Sequence, residues 1–298
     1  MSGKIVVIGS MNADLVIHSH KMPRLGETLT GSNFQINCGG KGLNQAVAIS
    51  KLGGDVSFLG CVGADANGSV LLKELSDNGI AFNGISDSDT ATGIAMITVV
   101  DGNNFIVLSP GANENVTADL VEKHRSLIEE SDYCVMQLEI PLEAVAKVCE
   151  IARESGTAVV LNPAPYKPIG ENLISYTDYL IPNEHEAFDL TGIYPDSEEK
   201  CKEALFKLKT MGCKNIIITL GERGCVYNDG DGIIFRPAVE TKVVDTTSAG
   251  DCFIGAFVSR LSKGESISSA VDFALKASAV AVSREGASKS IPNACEIE

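Results

Sequence analysis

The sequence lacks any long apolar run. No stretch approaches 18 residues, and the longest candidates, 94–100 and 216–218, have the length of strands, which excludes a transmembrane helix. The first nine residues hold only a short apolar stretch ending in a turn at Gly9-Ser10, without the h-region of a signal peptide. Basic residues are also few. Against 39 Asp and Glu stand 24 Lys and Arg, a formal charge of −15. Nucleic acid and anionic membranes both call for basic faces, so this balance argues against either as a general partner. A small anionic ligand stays possible, because a local site can oppose the global field. Metal spacing is missing as well: the nine cysteines form no CxxC pair, and the four histidines are not spaced with them as zinc ligands. Cys61, Cys134, Cys149, Cys213 and Cys225 sit inside apolar segments and read as reduced core thiols of a cytoplasmic protein. No internal repeat or low-complexity tract is present.

What is present is globular. The chain has 298 residues, 44% apolar and 21% charged. A chain of this length buries well over half its surface and needs no disulfide or metal to fold. Lys4–Ile8 is a continuous apolar run that suits a strand buried on both faces. Further runs at 133–138, 157–161, 179–181 and Asn215–Thr219 repeat the signal, separated by helical patterns. Leu142–Ser155 has apolar residues at 142, 145, 148 and 151 and a stop at Gly156; 197–211 places Cys201, Leu205 and Leu208 on one side. Thr117 with Asp119 opens a helix expected to reach Glu130. This alternation predicts an α/β layered fold with right-handed crossovers.

Two stretches break the alternation. Residues 15–38 carry Pro23, Gly26 and Gly31 with short β-like pieces. Residues 92–108 read as two strands joined by Asp101-Gly102-Asn103, a strong hairpin signal. Together they are expected to form a small separate sheet covering the main body. Near the end, Val243-Val244 reads as the end of a strand, followed by the small-residue loop Asp245-Thr246-Thr247-Ser248-Ala249-Gly250-Asp251 and an apolar helix; a second, alanine-rich helix covers 266–284.

The loop at 246–251 is the sharpest chemical feature. Small residues let backbone N–H groups converge, and the helix that follows adds its positive end, making an anion site. Asp251 in its first turn is either a partner of the helix dipole or a general base beside that anion. Cys38-Gly39-Gly40-Lys41-Gly42-Leu43-Asn44-Gln45-Ala46 allows tight turning and close ligand approach, but matches neither a Walker A loop nor a dinucleotide fingerprint; a plain turn before a helix also accounts for it. Asn12 and Asp14 are expected at the end of the first strand, where α/β proteins bind ligands, and could grip vicinal hydroxyls or simply turn the chain. Glu139, Asn183-Glu184-His185-Glu186 and Thr219-Leu220-Gly221-Glu222-Arg223-Gly224 again follow apolar strands. The carboxylates at 184 and 186 could hold Mg²⁺ through water or start a helix.

Taken jointly, these segments resemble the ribokinase-type (pfkB) carbohydrate kinase family, over nearly the whole chain. Residues 39–46 match its first signature, 245–251 its second, and 183–186 its NxxE element; the two signatures lie about 200 residues apart in the family's order. The resemblance implies a three-layer α/β/α core with a small β-sheet lid at about 14–38 and 92–108, in a single domain that dimerises through the lid. It implies transfer of the ATP γ-phosphoryl group to O5 of D-ribose; the alternatives are a related kinase for another sugar or nucleoside, such as 2-deoxyribose, and a non-catalytic sugar-binding protein on the same fold. By resemblance, Asn12, Asp14, Gly39, Gly40, Lys41, Asn44 and Glu139 bind the sugar, Asp251 is the base, and Ala249 and Gly250 make the anion hole. Asn183, Thr219, Leu220, Gly221, Glu222, Arg223, Gly224 and Gly250 line the nucleotide side, and Glu186 organises Mg²⁺. Asp245, Thr247, Ala281, Arg284, Gly286 and Ser290 match the positions that hold an activating K⁺, mostly through backbone carbonyls. Two residues depart from the pattern. Ser248 stands where the family often has glycine, and Leu275 occupies a position near the nucleotide that is often polar.

Overall fold

The structure, a computed structural model, describes residues 2–101, 103–230 and 232–297. The chain begins with β1 (Lys4–Ile8), β2 (Asn12–His18), β3 (Ser32–Gly39) and α1 (Lys41–Lys51). Next come β4 (Asp55–Leu59), β5 (Cys61–Gly63), α2 (Ala66–Asp77), β6 (Ala81–Phe82), β7 (Ile85–Asp87), β8 (Gly93–Val100) and β9 (Asn103–Ser109). The middle holds α3 (Ala118–Lys123), α4 (Arg125–Glu129), β10 (Tyr133–Met136), α5 (Leu142–Ser155), β11 (Ala158–Leu161), α6 (Glu171–Ser175), β12 (Tyr179–Leu180), α7 (Glu184–Thr191) and α8 (Glu198–Thr210). The last part is β13 (Asn215–Thr219), β14 (Cys225–Asp229), β15 (Gly232–Arg236), α9 (Ala249–Leu261) and α10 (Ile267–Val282).

One nine-stranded sheet runs in the order β15-β14-β13-β12-β11-β10-β1-β4-β6. The strands from β13 to β6 are parallel, and β14 and β15 form an antiparallel edge. β1 shows why the sheet needs two helix layers. Ile5 and Val7 enter one apolar cluster with α1, α2, α9 and α10, whereas Val6 and Ile8 enter another with α3, α5 and α8 on the opposite face. A strand apolar at every position is stable only when both faces are covered. From β1 the chain builds outward through β4 to β6, then returns to β10 on the other side of β1. The switch point between β1 and β10 opens a crevice at the carboxyl ends of these strands, the usual place for a ligand in such sheets.

A second sheet has the order β3-β2-β8-β9, with β2 and β8 parallel and both outer pairs antiparallel. The expected strand pair at 92–108 is present as β8 and β9, while Gly102 of its turn lies outside the described residues. Register sets Ile36, Leu15, Met96 and Val107 side by side across all four strands. Ile36, Met96 and Val107 in that row are 49%, 61% and 70% exposed, an apolar face turned to solvent.

Three local expectations need correction. The helix from Thr117 to Glu130 is two helices, α3 and α4, broken at His124, whose backbone (φ −107°, ψ 22°) leaves the helical region while its Nδ1 lies 3.0 Å from the Leu120 carbonyl. Val243 and Val244 form no strand; they are 60% and 55% exposed, and the Val244 N–H bonds the Val282 carbonyl at the end of α10. Asn12 and Asp14 open β2 instead of closing β1, so they sit where the chain crosses from the large sheet into the small one.

α1 and α9 pack unusually closely. A Cβ on Gly255 would stand 2.3 Å from the Ala48 Cβ and 3.0 Å from the Gln45 carbonyl. This contact brings the glycine-rich start of one helix to the small-residue start of the other.

Candidate active site

The site grows from the two helix starts. Gly40 caps α1 with φ 91°, a conformation that glycine adopts without strain. The turn is tied to the end of β1, since the Leu43 N–H donates to the Ser10 carbonyl at 2.9 Å and the Gly42 N–H to Ser10 Oγ at 3.3 Å. Ser10 Oγ and the Lys41 N–H both donate to Glu139 Oε2, the latter at 3.0 Å. Asn44 on α1 donates to Asp251 Oδ2 at 3.1 Å, so the first glycine-rich loop and the second small-residue loop meet at one carboxylate. Asp251 is 7% exposed.

Asn12 and Asp14 face this junction from β2. Asn12 Oδ1 accepts from Asn113 Nδ2 at 2.8 Å. The Asp14 carboxylate fills the space above Gly39, where a Cβ would meet its Oδ2 at 2.1 Å. That position therefore tolerates no side chain while Asp14 keeps this conformation.

Four carboxylates and one ammonium share the crevice. Burial, then the negative charges of Glu139 and Asp251, push Asp14 up to about 7 from 3.8. Burial pulls Lys41 down, but Asp251, Glu139 and Glu186 outweigh it and hold the ammonium above its usual value. Burial raises Glu186 despite its donors. Those donors are the Asn183 N–H and Nδ2, both at 2.9 Å, and Asn162 Nδ2 at 3.4 Å; the Glu186 N–H in turn donates to Asn183 Oδ1 at 2.9 Å, which completes the capping box of α7. Among the described residues, no group of three His, Cys, Asp or Glu forms a ready metal site.

At the start of α9, Ser248 is the cap in the left-handed region, φ 62°, which explains why glycine is at home there. The Ala249 N–H closes a turn on the Thr246 carbonyl at 3.2 Å. The N–H groups of Gly250 and Asp251 are then the first-turn donors left without an intrahelical acceptor. A cleft of about 390 Å³ opens from this helix start. Lys41, Asn183, Glu186, Thr219, Gly221 and Gly224 line it, and Leu275 gives it an apolar wall. Three expected nucleotide-side residues are not brought to it. Leu220 is buried in the core, Glu222 is exposed, and Arg223 turns away to Glu184 and the Pro195 carbonyl.

The residues matched to a monovalent-cation loop gather beside the same helix. Asp245 accepts from the Thr247 N–H at 2.9 Å and from the Gly286 N–H at 3.0 Å, which clamps the two segments together. The Arg284 N–H bonds the Ala281 carbonyl at 3.1 Å, while its guanidinium pairs with Glu296, so only its backbone faces the loop. Ser290 is buried and bonds the Ala287 carbonyl.

Sequence reasoning left three participants without a role. Gln45 donates to Asp251 Oδ1 at 3.0 Å, Gln137 donates to Gln45, and Asn162 lies between Gln45 and Glu186. Gln137 and Asn162 directly follow β10 and β11. Strand-end position was the available signal, but a neutral amide carries no charge to draw notice.

Comparison with known proteins accords with this geometry. A family model described as pfkB family carbohydrate kinase matches residues 2–294. Ribokinase of Schizosaccharomyces pombe is 42% identical over 306 residues, which cover 99% of this chain and 96% of that protein. Among solved structures, Arabidopsis thaliana ribokinase complexed with ribose and ATP matches with a TM-score of 0.93 at 30% identity, covering 100% of this chain and 98% of the other. Thermotoga maritima ribokinase matches with a TM-score of 0.90 at 35% identity, covering 99% and 98%. On the match over nearly all of its length, the chain belongs to the pfkB family of carbohydrate kinases.

Proposed function

We propose that this kinase transfers the γ-phosphoryl group of ATP to O5 of D-ribose, with Asp251 as the general base. One observation carries the reading. The Asp251 carboxylate stands in the first turn of α9, each oxygen held by an amide donor from α1, with the cleft of about 390 Å³ beside it. Asn12, Asp14, Gly39, Gly40, Lys41, Asn44 and Glu139 grip the sugar. The 5-hydroxyl gives its proton to Asp251 as its oxygen bonds the γ-phosphorus, and the bond from that phosphorus to the bridging oxygen of ADP breaks. Backbone N–H groups at Ala249 and Gly250, with the helix end, hold the transferring group, although the Ala249 N–H must first leave Thr246. ATP lies along Asn183, Thr219, Gly221 and Gly224, with its base against Leu275.

The residues fit both ions of the family. Both Glu186 oxygens already accept N–H donors, which suits contact through water with a Mg²⁺ carried on substrate phosphates. That ion, when bound, neutralises charge on the phosphates. Asp245, Thr247, Ala281, Arg284, Gly286 and Ser290 supply oxygens, chiefly carbonyls, of the kind that replace water around K⁺. The small sheet acts as a lid that excludes water, and its exposed apolar row packs on the same row of a second copy. Buried, free thiols at eight of the nine cysteines support the cytoplasm as its compartment.

Four outcomes test this reading. Asp251→Asn should keep ribose and ATP binding by calorimetry yet lose about 10²–10⁴-fold in kcat, the usual worth of a general base; near-normal turnover would sink the assignment. Replacing K⁺ with Na⁺ or Tris should lower kcat, and equal rates in coupled ADP-release assays refute the cation loop. Light scattering should give twice 31.4 kDa, and Met96→Asp with Val107→Asp should halve it; a wild-type monomer rules out the dimer.

The fourth concerns pH. Asp14 titrates near 7, so its carboxylate is charged above that value and neutral below it. Ribose KM should rise as pH falls through 7, a dependence that Asp14→Asn abolishes at the cost of weak binding throughout. Stability runs the other way. The native carboxyl holds its proton more tightly than the unfolded chain at 3.8, so its contribution is present at low pH and lost as pH rises through about 7. Asp14→Asn should therefore melt at a higher temperature than wild type at pH 8, and a variant that melts lower contradicts the burial argument.

A further inference from the structure

Asp251 is held by an amide whose orientation is itself enforced, and we infer that Gln45, backed by Gln137, is a positioning residue for the catalytic base. Gln45 and Gln137 are wholly buried, and neither lines the cleft. Gln137 Nε2 donates to Gln45 Oε1 at 2.7 Å. With its oxygen so engaged, Gln45 presents Nε2 to Asp251 Oδ1 at 3.0 Å and to Asn162 Oδ1 at 3.3 Å. Asn162 is fixed in turn, because its Nδ2 donates to the Ile181 carbonyl at 3.0 Å.

The opposite orientation of the Gln45 amide is excluded by two neighbours. Its oxygen would then meet Asp251 Oδ1 and Asn162 Oδ1, both acceptors, and Asn162 is held by the Ile181 carbonyl. In a buried site each of these is an unpaired or repelling polar contact. An apolar side chain of the same length would fill the space equally well, so packing alone does not account for an amide at position 45. What the amide adds is a donor aimed at one carboxylate oxygen while Asn44 takes the other. The carboxylate plane is thereby fixed, and one lone pair on each oxygen stays available for the substrate hydroxyl. Asn162 also reaches Glu186 at 3.4 Å, so the same amides connect the base to the nucleotide side.

This inference rests on Asp251 being the base, and the experiment separates the two. Gln45→Met and Gln137→Met keep side-chain length and remove the amides. Gln45→Met should lose about tenfold in kcat, the effect of deleting one charge-assisted hydrogen bond, with KM for ribose and ATP within about threefold. Gln137→Met should lower kcat by less, again with both KM values within about threefold. The double variant should be no slower than Gln45→Met, since Gln137 acts only through Gln45. A folded Gln45→Met with an unchanged kcat overturns the inference, as does a loss confined to KM. Where Gln45→Met does not fold, Gln137→Met decides alone by whether its kcat falls with KM unchanged. Asp251→Asn run in parallel identifies a failure of the base itself: if that variant turns over normally, the base reading falls, whatever the amide variants do.

Discussion

The site depends on how much negative charge can be buried at one crevice. Asp14, Glu139, Glu186 and Asp251 share the crevice with Lys41, whose ammonium answers three of them, Asp251, Glu139 and Glu186. A buried carboxylate without a partner is expensive enough to take up a proton instead. Asp14, with no cation partner among the described residues, is driven that way, whereas Glu139 and Asp251 are met by backbone N–H, hydroxyl and amide donors. The elements around the crevice exist to deliver those donors. β1 and β10 end beside each other at the switch point, α1 starts there with a glycine-capped turn, and α9 lies close enough to α1 to share a carboxylate with it.

That arrangement explains which parts of the molecule were legible in the sequence. Lys4–Ile8 and Asn215–Thr219 are strands to the residue, because buried apolar stretches, 5–8 and 216–218, are bounded by polar Lys4, Asn215 and Thr219 or by the Gly9 turn. Leu142–Ser155 is a helix to the residue, because Gly156 in the left-handed region stops it. The small sheet was readable from Asp101 and Asn103 between β-rich runs, but its parallel β2–β8 pairing was not, since parallel register depends on tertiary contact. Val243-Val244 misled for a physical reason. Two β-branched residues score as a strand, yet here they pass the end of α10 with no sheet edge to join.

The site was legible where a charge or a glycine marked it and opaque where a neutral amide did the holding. Asp251, Glu139 and the glycines stood out from the residues alone. Gln45, next to Asn44 in the same signature, drew no role, because on a helix a glutamine is ordinarily a solvated residue. Its burial, and the burial of Gln137 behind it, appears only once β10, α1 and α9 are packed together. Arg223, matched to the nucleotide side by resemblance, has its guanidinium paired with Glu184, a contact that only the folded chain reveals.

The preference for amides over cations has a consequence for a chain of net charge −15 that handles a polyanion. In the proposed reaction Asp251 takes a proton, a step that a fixed cation against the carboxylate would oppose. A glutamine donor orients the carboxylate without adding a charge. The same logic applies to the phosphate side, where helix N–H groups at the start of α9 present partial positive charge in a fixed direction. Neither device alters the net charge, so the acidic surface and an anion-binding crevice are compatible in one small kinase.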